Sequence, residues 1–133
     1  MKHGILTLSL ITLIAGASLL AGVSLLTAQQ EGEKKSDLME TKTRHAEKIL
    51  RALALGDLTL VAKEAQGLEE VTTDAGFDKR SERYGEYGRE FLKAVGAMKK
   101  EAQAGNFAGS YYQFTRMTGL CFTCHEHVRE PKK

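Results

Sequence analysis

Residues 106–129 read NFAGSYYQFTRMTGLCFTCHEHVR. Two patterns share this stretch. Phe107, Tyr111, Phe114, Met117, Cys121, Cys124 and Val128 recur three and four positions apart, the spacing of an apolar stripe along one amphipathic helix. Within the stripe stands Cys121-Phe122-Thr123-Cys124-His125, which contains both cysteines of the chain. A helix that turns its only thiols toward the interior is a wall of a bundle with something to hold.

Upstream, three further segments show the same period. The first, from about Ser36 to Leu55, places Leu38, Met39, Ala46, Ile49, Leu50 and Leu53 on one stripe, with Lys42 and His45 at its edge. Ser36 or Asp37 can cap it and Gly56 can end it. The second starts at Asp57, a favourable cap, and carries Leu58, Val61, Ala62, Ala65, Leu68 and Val71. The third opens at Ser81 and presents Tyr84, Tyr87, Phe91, Val95 and Met98 before Gly105. Proline is absent until Pro131, and no stretch alternates with the period of a strand. The links are short, apart from a loop near residues 73–80, and short links set successive helices side by side and antiparallel. The expected fold is all-α: an antiparallel up-down-up-down four-helix bundle over residues 36–129, preceded by a polar linker at 29–35 and followed by a tail at 130–133.

The amino terminus has a different character. Lys2 and His3 are followed by an apolar run, Ile5 to Ala28, broken only by Gly, Ser and Thr. A basic start before an apolar stretch reads as a secretory signal. The run is also long enough to span a bilayer, so residues 1–28 are either a cleaved signal peptide or an amino-terminal membrane anchor through residues 5–28. Both put the remainder outside the cytoplasm, in the periplasm of a bacterial cell, free or tethered to the inner membrane. From Gln29 onward, eighteen Lys and Arg face all seventeen Asp and Glu. That balance argues against a nucleic-acid partner, which requires a concentrated basic surface. Scattered acidic residues on polar helix faces give no sign of hydrolytic or transfer catalysis, so an enzyme is not expected.

Three chemistries use Cys-x-x-Cys. Thiol–disulfide exchange places the pair at the start of a helix that follows a strand, where the thiol pKa falls. Here the pair is near a helix end and no strand is expected. Structural zinc needs four ligands, and Cys121, Cys124, His125 and His127 are the only local candidates. Consecutive Cys124 and His125 point about 100° apart on a helix, which hinders their convergence with Cys121 on one ion. Covalent haem suits the spacing. Thiols at i and i+3 lie nearly one above the other and can bond two vinyl groups on one porphyrin edge, while the histidine at i+4 reaches the iron. Export, a lone thiol pair and a helical bundle agree with that third chemistry: one covalent haem c, with iron held by His125.

The motif on the last helix of a four-helix domain, Cys121-Phe-Thr-Cys124-His125-Glu-His-Val-Arg129, resembles the class II cytochromes c, meaning cytochrome c prime and its low-spin relatives. Leu38-Met39, Lys42, Leu50, Gly56-Asp57-Leu58, Ala65 and Leu68 have the look of that family over the first two helices. The resemblance implies haem wedged between helices and a proximal ligand at His125. It implies that Arg129 is the basic residue near the haem, and that the distal face is built near the start of the first helix, where Met39 stands. With Met39 as sixth ligand the iron is closed and the chain carries single electrons to and from redox partner proteins. His45 in that place would give a bis-histidine haem. With neither, the iron is five-coordinate and the alternative is a gas-binding cytochrome c prime. Pairing of family members through the first two helices makes a homodimer compatible with the reading. Met98 and Met117 read as core and His127 as solvent-facing. Tyr84, Tyr111 and Tyr112 read first as packing residues, with the haem edge as their functional alternative.

Overall fold

The computed structural model describes residues 37–77 and 81–129. The expectations for the export segment, the linker at 29–35, a cap at Ser36 and the tail lie outside the described residues. Among the described residues there are four α-helices and no strand: α1 at 37–55, α2 at Leu58–Asp74, α3 at Glu82–Gln103 and α4 at Phe107–Arg129.

Two of the links are built alike. At the end of α1, Gly56 adopts φ 72°, its amide donates to the Leu53 carbonyl, and the Asp57 amide donates to Ala52 at 2.9 Å. At the end of α3, Gly105 adopts φ 73°, its amide donates to Ala102, and the Asn106 amide donates to Glu101 at 2.9 Å. This is the Schellman closure, in which a left-handed residue lets two amides satisfy the last carbonyls, and glycine bears that conformation without a Cβ penalty. Each glycine is followed at once by a capping side chain. The Asp57 carboxylate accepts from the Leu60 amide at 2.9 Å, and the Asn106 side-chain oxygen accepts from the Gly109 amide at 3.0 Å. Gly-Asp and Gly-Asn therefore stop one helix and start the next within two residues. Ser81 does the same for the start of α3, its hydroxyl accepting from the Tyr84 amide.

Such tight links fold neighbours back on one another. Arg116 of α4 meets Glu90 of α3 at 2.9 Å near mid-helix, while His127, close to the end of α4, lies against Tyr84, close to the start of α3. His45 of α1 meets Glu64 of α2, and Glu69 of α2 pairs with Lys99 of α3. The two separated contacts between α3 and α4 run in opposite chain directions, so that pair is antiparallel, and the four helices close on one core as a four-helix bundle.

All four helices contribute to one core: Ile49, Ala52 and Leu53; Val61, Ala65 and Leu68; Phe91, Ala94, Val95, Met98 and Ala102; Phe114 and Met117. Met98 and Met117 are fully buried there, as expected. Leu50 is not on the interior stripe. It is 56% exposed, and Ala52 takes the inward position. Position 50 lies about 100° around the helix from Ile49, whereas 52 and 53 return to its face.

Candidate cofactor site

α1 begins and α4 ends at the same end of the bundle, and a pocket of about 280 Å³ opens there. From α4 it is lined by Met117, Thr118, Leu120, Cys121, Cys124 and His125. From α1 come Met39, Lys42, Thr43 and Ala46, and the remaining wall is Leu68, Phe77, Tyr87, Gly88 and Phe91. Four residues singled out in the sequence, Met39, Cys121, Cys124 and His125, thus share one mostly apolar cavity. Its size is close to the lower bound for small-molecule pockets, roughly 300 Å³.

The thiols are free and half-buried, one helical turn apart. Burial pushes both upward from the ordinary thiol range, and the Lys42 ammonium partly offsets this. The sulfurs are therefore held as neutral thiols at neutral pH. His125 is exposed at the rim, and Met39 is half-buried.

Lys42 is the feature that sequence reading left at the edge. Its Nζ lies 3.9 Å from the Phe91 ring centroid and 5.0 Å from that of Phe77. This is the geometry in which a cation is attracted by aromatic faces. Burial pushes its pKa below the usual lysine value, and the two thiols act in the opposite sense. Gly88 matters for the same wall. A Cβ placed on it would stand 3.1 Å from the Phe77 Cβ, a contact tight enough to require Phe77 to give by a few tenths of an ångström.

The other expected residues lie elsewhere. His45 faces α2, its Nδ1 at 2.8 Å from Glu64 Oε2, and it does not line the pocket. Lys48 reaches the same carboxylate oxygen at 3.5 Å. Gly67 provides the room for that imidazole, since a Cβ there would sit 2.6 Å from His45 Cε1. Arg129 is exposed at the end of α4, beyond the lining residues. Tyr111 and Tyr112 are 58% and 66% exposed, away from the pocket. His127 was expected to face solvent. It is half-buried, its ring 5.8 Å from Tyr87 and 6.3 Å from Tyr84, because α3 crosses the α4 face on which it stands.

Among the described residues no group of three or more His, Cys, Asp or Glu side chains converges as a metal-ion site. Nor is any helix among them long and apolar enough to cross a membrane. Comparison of the chain with protein-family models, with curated proteins and with solved structures finds no match.

Proposed function

We propose that the chain is an exported monohaem c-type cytochrome, class II in arrangement, that carries single electrons. One observation carries the reading: two thiols a helical turn apart, the imidazole that follows them and the thioether of Met39 line a single apolar pocket. That donor set fits a covalently held haem, because it offers two sulfurs for the vinyl edge and one ligand atom from each of two helices for the iron.

In this reading Cys121 and Cys124 would hold the haem through two thioether bonds, and His125 and Met39 would supply the iron's ligand atoms. Bound haem would supply a one-electron iron couple. The chain supplies the rest. Leu68, Phe91, Met117 and Leu120 give the pocket an apolar wall, and α1 and α4 carry the two ligand-bearing residues. With both His125 and Met39 bound, the iron would have no open position for a gas, and the thioether would favour the reduced state. Arg129, the basic residue that the resemblance places near the haem, does not line this pocket.

A reduced-minus-oxidised absorption spectrum of protein matured in a haem-attaching host tests this. Wild type is expected to show sharp low-spin bands that carbon monoxide leaves unchanged, and Met39→Ala is expected to lose them. Broad high-spin bands in wild type, shifted by carbon monoxide, would instead assign the chain to the gas-binding alternative.

A further inference from the structure

The Lys42 ammonium is the one charged group among the residues lining the pocket apart from the titratable thiols and imidazole. None of the ion pairs among the described residues involves it. Of the other five lysines among the described residues, Lys63 and Lys100 stand in none of these pairs and three meet carboxylates: Lys48 on Glu64, Lys93 on Glu90 and Lys99 on Glu69. Lys42 has two aromatic faces in their place. A half-buried ammonium that faces aromatic rings in place of a counter-charge has a positive field that no carboxylate cancels. A cation in that position acts on whatever occupies the cavity.

We infer that Lys42 sets the reduction potential of the haem that this pocket would hold, its ammonium acting as a fixed positive charge in the pocket wall. The inference rests on the haem reading above. Ferric haem carries one more positive charge than ferrous haem. A nearby cation in a low-dielectric pocket therefore penalises the oxidised form and raises the potential. Phe91 and Phe77 hold the charge in place by cation–π attraction, so it is present before and after electron transfer without rearrangement. The same charge would repel a cationic occupant and favour a neutral or anionic one. Lys42 thus acts through its field and not as an iron ligand, a role that the proposal leaves to His125 and Met39.

Spectroelectrochemical titration of the matured wild type, Lys42→Met, Lys42→Gln and Lys42→Arg tests the assignment. Both uncharged variants are expected to be reduced about tenfold less at a fixed poise, a fall of about 59 mV for one electron, with low-spin bands unchanged. Lys42→Arg is expected to stay with wild type. The glutamine variant keeps a polar head and covers the event that the apolar one matures poorly. A potential that is unchanged or higher in both uncharged variants overturns the inference. So does a wild-type ferric spectrum of histidine–amine ligation that Lys42→Gln abolishes, because a coordinated amine carries no charge. Chains that carry no covalent haem at all would overturn the electron-carrier reading first, and absorbance alone distinguishes that case.

Discussion

Lys42 and the two thiols share one poorly solvated pocket, and their proton equilibria pull stability in opposite directions. The folded chain holds the Lys42 pKa below 10.5. Between that lowered value and 10.5 the unfolded chain keeps a proton that the folded chain has released, so this residue makes stability rise with pH across that window. The thiols are raised above 9.0, so the folded chain keeps their protons longer and their contribution falls as pH climbs through 9.0. Removing Lys42 deletes the first effect and strengthens the second. Urea unfolding of haem-free wild type and Lys42→Met is therefore expected to shift in favour of wild type as pH rises from 7 toward 10.5. A difference that stays constant, or moves in favour of the variant, contradicts the placement of this ammonium. That Cys121, Cys124 and His125 share one pocket was legible in the sequence, because positions i, i+3 and i+4 lie on one helix face. The setting of Lys42 was not, because it is made by Phe77 and Phe91, which come from distant parts of the chain.

At the level of helices, the bundle depends on small residues where side chains of a neighbour must enter. Gly67 on α2 is the sharpest case. His45 occupies the space its missing side chain leaves, pinned there by Glu64. Alanine at 67 gains up to about 1 kcal/mol of helix propensity but drives a Cβ into the imidazole, an overpacking that costs about 1–3 kcal/mol. Gly67→Ala is expected to lower the melting temperature in wild type and to raise it in a His45→Ala background. The same sign in both backgrounds would contradict the contact. Helix positions were readable from sequence because Gly-Asp, Gly-Asn and Ser punctuate them through named backbone bonds. The inward face was read less well. Leu50 was placed on the stripe by its apolarity, and the angular position that decides burial put Ala52 there instead. His45 shows the same limit from the polar side: a histidine at the edge of a stripe could meet iron or a carboxylate, and only the approach of α2 decides between them.

For the whole molecule, the order of elements determines the site. Three reversals return the end of α4 to the start of α1, so Met39 and the Cys121–His125 turn, some eighty residues apart in the chain, line one cavity. An all-helical architecture was legible from periodicity and from the absence of proline within the bundle. The convergence followed from the number of short links, since an even number of antiparallel helices brings the two chain ends of the domain together. Aromatic walls, the His127 contact with Tyr84 and Tyr87, and the caged cation required the three-dimensional packing of α3 against its neighbours. The central claim is that this end of the bundle is closed by a covalently attached haem. Intact-protein mass spectrometry of chain matured in a host able to attach haem tests it most directly. The account predicts one haem mass added to the polypeptide, retained after denaturation and acid–acetone extraction, and lost in Cys121→Ser, Cys124→Ser. A wild-type chain at the mass of the bare polypeptide would contradict it.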